Sequence, residues 1–363
     1  MDRKKKLLIV IQNLGIGGAQ RMVLELVNQL DPSRFHFKVI CCSEAKGTHM
    51  ETELEKICPI EYLNLHGRVN IKKLHCAFKA FRHFAPDLIH AHLGGASYAL
   101  PWCALNKKPL LMTIHSEPKP HAAKGWESLL RRGIRKGWAA IAAVSPENHR
   151  KCKDYYDTDD RNCVCINNGI DFSRYYAREH SHFTFINVAT HNKNKNQALI
   201  LDCFAELYRD HREIRLILLG KGPTTDELRL QAERLGISEA VDFAGSVSNV
   251  AEYLSVSDVF LLSSHTEALP MSAIEAMATG LPVISTDVGG MPDIVRGNGF
   301  LVPDHNGEAF CQAMSTMLTM EKDAFQSMKV ASIKLVEPYS SLKMAESYMQ
   351  VYGFLIDRNG KYK

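Results

Sequence analysis

The sequence predicts an α/β protein made of two doubly wound domains, each built on a parallel sheet. Short apolar runs typical of buried strands alternate with segments of helical periodicity along almost the whole chain. Such alternation implies parallel sheets covered by helices on both faces. A chain of 363 residues is long for one hydrophobic core, so two domains are expected. Ligands of doubly wound domains bind at the carboxyl ends of the strands, where we expect the functional residues.

The strand candidates form two series separated by an aperiodic stretch. Those of the first half are LLIVI, FKVICC, IEYLNL, DLIHAH, PLLMTIHS, AAIAAVS and VCINN, with helical patterns at 17–30, 70–84, 95–106 and 124–137. Those of the second half are FTFINVA, IRLILLG, VDFAG, VFLLSS, PVISTDV and GFLVP. Residues 171–182 are polar and aromatic and lack any period, so we predict domains at 1–170 and 183–339 joined by this linker. Residues 340–363 carry apolar side chains at helical spacing and are predicted to form a C-terminal helix.

The N-terminus resembles the start of a secretory signal only briefly. Lysines 4–6 precede the apolar run LLIVI, but this run ends after five residues at Gln12, too short for a signal peptide. The sequence also contains no apolar run of the length needed to cross a membrane. We therefore expect a cytoplasmic protein.

The ten cysteines are scattered and none form a C-x-x-C pair. Several lie inside apolar, strand-like runs, where cysteine acts as a small hydrophobic residue. We expect reduced, buried thiols rather than a set of disulfides or a zinc site.

Charge is distributed unevenly along the chain. Residues 1–180 contain 28 Lys and Arg against 18 Asp and Glu, whereas the remainder contains 16 against 22. A basic half is typical of proteins that meet phosphate, nucleic acid or a membrane surface. An ordinary solvated surface with uneven charge explains the same count, and composition alone does not separate the two.

A glycine-rich loop follows the first predicted strand. Residues 13–21 read NLGIGGAQR and lead into a helical pattern, an arrangement in which backbone N–H groups and the helix dipole can hold an anion. The dinucleotide pattern G-x-G-x-x-G fails because Gln20 stands at its third glycine, and a Walker-type loop is absent. The loop alone therefore leaves a phosphate site and a simple helix start both open.

Two glutamates mark the stretch 263–295 as the most informative part of the chain. Glu267 lies in a loop after the strand VFLLSS, and a helix is predicted from about Pro270 to Thr279. Glu275 lies within that helix among Ala, Ile and Met. A carboxylate in such surroundings is costly unless it is paired or hydrogen-bonded. Ligand hydroxyls, backbone N–H groups or an arginine could each supply that partner.

Together these segments resemble the retaining glycosyltransferases of family 4, which have the GT-B fold of two Rossmann-like domains facing a central cleft. The spacing E-x7-E of Glu267 and Glu275, followed by AMATGLPVISTDVGGMPDIV, carries the strongest resemblance. The further matching segments, in chain order, are GGAQR, DLIHAH, TIHS, AAVSPENHRK, VCINNGIDFSRY, LILLGKGP and VDFAGSVSN. The resemblance also implies that the C-terminal helix crosses back to the N-terminal domain.

The resemblance implies that the C-terminal domain binds a sugar-nucleotide donor. Glu275 would accept hydrogen bonds from the ribose, an acceptor-only role suited to a carboxylate, and Glu267 would contact the transferred sugar as a catalytic residue. Lys195 would stabilise the departing diphosphate, which makes it both a donor-binding and a catalytic residue. The remaining implied donor-binding residues are Gly17, Gly18, Gly222, Val247, Leu269 and Met271.

One position departs from the family pattern. Thr190 stands where the family places an arginine five residues before the lysine, so Lys195, with help from Lys193 or His191, would carry the diphosphate charge. Without the resemblance, Lys193 and Lys195 are also explained as a solvated helix start. The D-x-D at 157–159 lies in the wrong domain for a donor metal and is interpreted as a surface turn. We expect no metal and no cofactor.

The N-terminal domain is implied to bind the acceptor. His115 matches a histidine that the family places near the reacting carbon, and we assign it a catalytic, positioning role. A strand-end histidine bonded to local backbone is the alternative. His90 and His92 alternate along one strand face, and His92 is assigned to the acceptor side together with Gln20 and Arg21.

The sequence thus predicts a retaining, metal-independent glycosyltransferase. It would move a hexose or N-acetylhexosamine from a sugar nucleotide, favoured to be a UDP-sugar, to a saccharide or lipid-linked saccharide in exopolysaccharide, capsule or lipopolysaccharide assembly. The alternatives are a GT-B sugar-nucleotide epimerase and a non-catalytic sugar-nucleotide-binding protein. No nucleic-acid partner is expected. The basic amphipathic segment 124–138 either rests on the inner face of an anionic membrane or packs on its sheet with a solvated edge.

Overall fold

The computed structural model describes residues 3–15, 17–116, 118 and 126–360. Its contacts divide the chain into two compact units. The N-terminal unit comprises residues 1–169 and 341–363, and the C-terminal unit comprises residues 170–340.

The N-terminal unit is a seven-stranded parallel sheet with helices on both faces. Its strands are β1 (Lys5–Ile11), β2 (Phe35–Cys41), β3 (Ile60–Tyr62), β4 (Leu88–His92), β5 (Leu110–Ile114), β6 (Ala139–Ala143) and β7 (Cys163–Cys165). Its helices are α1 (Gly18–Asn28), α2 (His49–Ile57), α3 (Ile71–Phe84), α4 (Ala96–Asn106), α5 (Trp126–Arg135), α6 (Pro146–Tyr156) and α14 (Ser341–Gly360). The strand order is β3-β2-β1-β4-β5-β6-β7.

Burial on both faces explains why the first strand is a continuous apolar run. Leu8 and Val10 belong to the core on one side of the sheet, whereas Leu7, Ile9 and Ile11 belong to the core on the other side. A strand covered on both faces needs apolar residues at every position rather than at alternate ones.

The C-terminal unit repeats this architecture with six parallel strands. They are β8 (Thr184–Val188), β9 (Arg215–Leu219), β10 (Val241–Gly245), β11 (Val259–Leu262), β12 (Val283–Thr286) and β13 (Gly299–Val302), in the order β10-β9-β8-β11-β12-β13. Its helices are α7 (Gln197–Asp210), α8 (Thr225–Leu235), α9 (Val250–Ser255), α10 (Met271–Ala278), α11 (Met291–Ile294), α12 (Gly307–Leu318) and α13 (Lys322–Val336). The predicted pair of doubly wound, parallel-sheet domains is therefore confirmed.

Two helices of the N-terminal unit, α2 and α6, escaped the sequence analysis, although the signal of α2 is present in the sequence. Helix α2 begins after Thr48, whose hydroxyl accepts a hydrogen bond from the N–H of Glu51 at 3.3 Å. The Glu51 carboxylate in turn accepts from the N–H of Thr48 at 3.0 Å. This reciprocal pair of hydrogen bonds is a capping box, and the T-x-x-E pattern of residues 48–51 predicts it from the sequence.

The expectation that all cysteines are reduced is wrong for one pair. Cys203 on α7 and Cys311 on α12 form a disulfide, and the other eight cysteines are not disulfide-bonded. The two helices pack side by side and bring the Cα atoms to 4.7 Å, within the range that a disulfide requires. A separation of 108 residues hides this neighbourhood from sequence spacing.

The C-terminal helix α14 packs on the N-terminal unit and completes a buried polar network. Its Tyr352 hydroxyl lies 2.7 Å from His90 Nδ1, and His90 Nε2 lies 2.8 Å from the Thr113 hydroxyl. The same Thr113 hydroxyl lies 3.0 Å from that of Tyr348. Both ring nitrogens of His90 are therefore hydrogen-bonded, which explains why this polar side chain is tolerated in the core.

Substitution Tyr352→Phe tests this network. The change leaves one buried nitrogen of His90 without its partner, so we expect a loss of about 1–3 kcal/mol in unfolding free energy of the N-terminal unit. Chemical denaturation followed by hydrogen exchange of that unit measures the loss. Tyr62→Phe is the matched control because its hydroxyl bonds Glu55 at the exposed surface. Equal stability of the two variants would contradict the prediction.

Candidate active site

The site in the C-terminal unit is built where the chain reverses its direction across the sheet. Strands β8 and β11 are neighbours in the sheet. The chain continues from β8 towards one edge of the sheet, to β9, and from β11 towards the other edge, to β12. Such a switch point opens a crevice at the carboxyl ends of the strands. The loops at this point, residues 189–196 and 263–270, carry Lys195 and Glu267.

Lys195 and Glu267 form an ion pair across 72 residues of sequence. The Lys195 Nζ lies 2.5 Å from Glu267 Oε1, and the two side chains are 21% and 9% exposed. A carboxylate this well buried requires such a partner, since an unpaired buried charge is strongly unfavourable. The structure thus brings two of the three predicted catalytic residues into direct contact.

Asn194 fixes the two loops to each other beside this ion pair. Its side chain accepts from the Thr266 hydroxyl at 2.7 Å and donates to the Thr266 carbonyl at 3.0 Å. Its carbonyl accepts from the His265 N–H at 2.8 Å. Sequence analysis missed this residue, whose only signal is its position beside Lys195.

A glycine pair supports the Glu267 loop from its other side. Gly289 adopts a left-handed φ of +57°, and a Cβ at this position would lie 1.9 Å from the Glu267 carbonyl oxygen. The N–H of Gly290 donates to the Ala268 carbonyl at 2.6 Å. Only glycine permits both this backbone conformation and this approach.

Helix α10 places the second glutamate and the predicted phosphate-facing backbone. It begins at Met271, directly after Pro270, and Glu275 lies one turn further on with 8% exposure. Leu269 and Met271 are buried. A helix N-terminus at the carboxyl edge of a parallel sheet favours an anion.

The loop after β9 joins the same edge through close backbone contacts. Gly222 permits the approach of the His191 carbonyl, which would lie 2.1 Å from a Cβ at that position. The Gly222 N–H donates to the Thr225 hydroxyl oxygen at 2.9 Å. Val247 lies in the loop after β10, at the outer end of the sheet order.

His191 does not supply the positive charge of the arginine that the family places at position 190. Burial lowers its pKa, the positive charge of Arg229 acts in the same direction, and its Nδ1 lies 3.0 Å from the Thr225 hydroxyl. The ring is therefore neutral at neutral pH. Thr190 and Lys193 are exposed, so Lys195 is the partly buried cation of the loop 189–196.

In the N-terminal unit the switch point lies between β1 and β4. The Gln12 side chain accepts from the Gly94 N–H at 3.3 Å, and a Cβ on Gly95 would lie 2.6 Å from the Val10 carbonyl oxygen. Glycine at position 95 therefore lets the chain after β4 approach the end of β1.

Gln20 holds the glycine loop in place. Its amide nitrogen donates to the Asn13 side chain at 3.0 Å and to the Asn13 carbonyl at 3.3 Å. The Gly15 N–H donates to the side-chain oxygen of Asn13, Oδ1, at 3.0 Å. Gly17 caps α1 in an extended conformation, and Gly18 begins the helix.

Arg21 pairs along the same helix with a buried carboxylate. Its guanidinium lies 2.9 Å from Glu25, which is 1% exposed. Both Gln20 and Arg21 thus have partners within the unit.

His92 and His115 meet at the ends of adjacent strands. His92 Nδ1 lies 3.0 Å from His115 Nε2, and the His92 ring packs against that of His90 with centroids 4.0 Å apart. His90 and His92 are fully buried, which lowers their pKa values well below the usual range, and charge on the neighbouring histidines acts in the same direction. The pair His90 and His92 is therefore neutral at physiological pH.

Two further segments were singled out in the sequence. Within the described part of the basic segment, Leu130 and Ile134 of α5 are buried, whereas Arg132, Arg135 and Lys136 are exposed; residues 124–125 lie outside the described residues. At 157–159, Asp159 accepts from the Arg161 side chain at 2.7 Å, as expected of a surface turn. No helix among the described residues is long and apolar enough to cross a bilayer.

The fold and this edge of the sheet define a class: a two-domain α/β protein with its candidate site at a topological switch point. Two family models match the chain, Glycosyltransferase Family 4 over residues 16–174 and Glycosyl transferases group 1 over residues 172–331. These matches and the two Rossmann-like sheets support a GT-B glycosyltransferase similar to family 4.

Known relatives agree with this class. N-acetyl-alpha-D-glucosaminyl L-malate synthase of Bacillus anthracis is 26% identical over 304 residues, which are 76% of this chain and 77% of the relative. The putative glycosyltransferase EpsD of Bacillus subtilis is 30% identical over 183 residues, 50% of this chain and 48% of the relative. The crystal structure of Anabaena HepE with UDP and glucose has a TM-score of 0.82 at 19% identity, covering 96% and 99% of the two chains. The last likeness establishes the GT-B fold.

Gly289→Ala tests how strongly the Glu267 loop depends on its support. The added Cβ collides with the Glu267 carbonyl in a left-handed conformation, a combination that we expect to cost at least about 1–3 kcal/mol. Thermal unfolding of the C-terminal unit measures this loss. Gly297→Ala is the matched control, because Gly297 has a φ of +81° and nothing within 4 Å of the added Cβ. The prediction fails if the two variants unfold at the same temperature.

The neutral histidines predict a loss of stability in acid. Below about pH 6.5 the histidines of the unfolded chain become protonated, whereas His90 and His92 of the folded chain stay neutral. Each of the two then lowers the unfolding free energy by up to about 1.4 kcal/mol per pH unit. Denaturation between pH 7.5 and 5.5 measures this slope. We expect His92→Gln to reduce the slope, whereas His83→Gln, at an exposed position of α3, should leave it unchanged. Identical slopes for the two variants would refute the assignment.

Proposed function

We propose that the chain is a retaining, metal-independent glycosyltransferase using a sugar nucleotide. It moves a hexose or N-acetylhexosamine, with a UDP-sugar as the favoured donor, to a saccharide or lipid-linked saccharide of exopolysaccharide, capsule or lipopolysaccharide. The observation that carries the proposal is the Lys195–Glu267 ion pair at the switch point of the C-terminal unit. The relatives support the substrate class, because one is named for glucosaminyl transfer and another structure contains UDP and glucose.

Each part of the sugar-nucleotide donor meets a group of suitable chemistry in the C-terminal unit. The diphosphate competes with Glu267 for the Lys195 ammonium, which leaves the Glu267 carboxylate available to sugar hydroxyls. The N–H groups of Leu269 and Met271 with the α10 dipole face the same anion. Glu275 accepts from the ribose, and Gly222 and Val247 offer backbone to the nucleotide.

The N-terminal unit contributes histidines, the start of α1 and the glycines before it. His115, held by His92, positions the sugar or the acceptor hydroxyl, and Gln20 and Arg21 line the acceptor side. Gly17 and Gly18 offer backbone to the diphosphate. Since burial holds His92 neutral, His92 acts on His115 through a hydrogen bond rather than through charge.

The reaction requires stabilisation of charge more than transfer of protons. The transition state resembles an oxocarbenium ion, and negative charge grows on the departing diphosphate. Preorganised groups aimed at that charge supply most of the acceleration in such sites. Lys195 and the α10 N-terminus are the groups of this chain that fit the task.

We place the protein on the cytoplasmic side of the cell, resting on the inner face of the membrane through α5. The exposed Arg132, Arg135 and Lys136 suit an anionic surface at which a lipid-linked acceptor is presented.

A thermal-shift panel of UDP-, GDP- and ADP-sugars tests the donor site. We expect stabilisation by one nucleotide class and a loss of at least about tenfold in its affinity, near 1.4 kcal/mol, for Glu275→Ala and Lys195→Met. Glu233→Ala, at an exposed position of α8, is the matched control. A panel without any stabilising nucleotide would overturn the donor site, and an unchanged Glu275→Ala would remove that residue from it.

Product analysis with and without saccharide acceptors tests the reaction. Transfer to an acceptor with retained anomeric configuration is the expected outcome. Epimerisation of the donor without acceptor would replace the proposal by the epimerase alternative. Donor binding without turnover for any acceptor would indicate a non-catalytic binding protein.

A further inference from the structure

Three metal-ligating side chains converge in the C-terminal unit outside the residues assigned to the donor. They belong to His265, Asp304 and His305, and one ligand atom of each lies within 4.8 Å of the others. His265 Nδ1 lies 2.8 Å from Asp304 Oδ1, and His305 Nε2 lies 3.3 Å from Asp304 Oδ2. The two imidazole rings are stacked with centroids 4.6 Å apart.

The sheet brings these residues together from two separate loops. His265 follows β11, whereas Asp304 and His305 follow β13, and β12 lies between the two strands. Both loops are fixed to the end of β12, because the Thr286 hydroxyl donates to the Ser264 carbonyl at 2.5 Å and the Asp287 N–H donates to the Val302 carbonyl at 2.7 Å. The cluster is therefore held by backbone contacts of the fold rather than by its own side chains alone.

We propose that His265, Asp304 and His305 form a binding site for a divalent transition-metal ion, with Zn²⁺ as the expected ion. Two imidazole nitrogens and one carboxylate oxygen suit Zn²⁺ and its first-row neighbours, whereas Mg²⁺ and Ca²⁺ prefer oxygen ligands alone. Bonds of about 2.1 Å to tetrahedral Zn²⁺ separate neighbouring ligand atoms by roughly 3.4 Å. Only small side-chain movements bring the three atoms to that spacing.

Exposure of the cluster gives the ion a path to the site. The His305 side chain is 77% exposed, whereas those of His265 and Asp304 are 30% and 24% exposed. Water would complete the fourth coordination position from the open side. The inference goes beyond the proposed function and does not depend on it, since metal binding is measured without any sugar nucleotide.

The ion would act as a link between loops. His265 stands two residues before Glu267, and its N–H is bonded to the Asn194 carbonyl. A metal held by His265, Asp304 and His305 would join the Glu267 loop to the chain after β13. We assign it a structural role, separate from the groups that face the diphosphate.

Titration of the tag-free, metal-stripped full chain with Zn²⁺ and with Co²⁺ tests the site. The background carries Cys76→Ser and Cys165→Ser, because these two cysteines are exposed and form no disulfide and thiolates also bind zinc. We expect one ion per chain, an upward shift in the unfolding temperature, and the intense visible absorption of four-coordinate Co²⁺.

Two ligand variants and one control decide the assignment. His305→Ala and Asp304→Asn should weaken Zn²⁺ binding by at least about tenfold, since loss of even a supporting residue around a metal commonly costs about 10–100-fold. His211→Ala is the control, because this half-buried histidine lies 3.6 Å from a single carboxylate, Glu213. The proposal is overturned if the parent chain binds no stoichiometric ion, or if both ligand variants bind it as tightly as the control.

Discussion

The ion pair between Lys195 and Glu267 is the interaction on which the candidate site depends. Glu267 is 9% exposed, and a carboxylate in that position is tolerated only with a charged or hydrogen-bonding partner. The partner comes from the neighbouring strand because the chain reverses its winding between β8 and β11. The bonds of Asn194 to Thr266 and the approach of Gly289 then fix the loop that carries the carboxylate.

An ion pair in the free chain also defines what a ligand must supply. A diphosphate that takes over Lys195 removes the partner of Glu267, so the ligand must provide hydrogen-bond donors for the released carboxylate. A phosphate-linked sugar satisfies both demands with one molecule, because its anion meets the lysine and its hydroxyls meet the glutamate. An inorganic anion satisfies only the first, and we expect it to bind more weakly for that reason.

The sequence predicted what depends on local pattern and could not predict what depends on packing. Continuous apolar runs identified strands buried on both faces, and the spacing of Glu267 and Glu275 marked the loop and α10. The contact of Lys195 with Glu267, 72 residues away, follows only from strand order. The disulfide between α7 and α12 arises in the same way, since helix packing rather than cysteine spacing brings its two residues together. The overlooked helix α2 differs, because its capping box is local and readable.

The two units accommodate their buried ionisable side chains in different ways. The C-terminal unit pairs a lysine with a glutamate, whereas the N-terminal unit keeps His90 and His92 neutral by enclosing them. The Nε2 atom of buried His92 has no hydrogen-bond partner among the described residues, and a buried N–H without an acceptor is rarer than a lone pair without a donor. We therefore infer that His92 carries its proton on Nδ1 and donates it to His115 Nε2, 3.0 Å away. His115, when neutral, then carries its own proton on Nδ1. His92, at the end of the neighbouring strand β4, thus determines which nitrogen of His115 can donate.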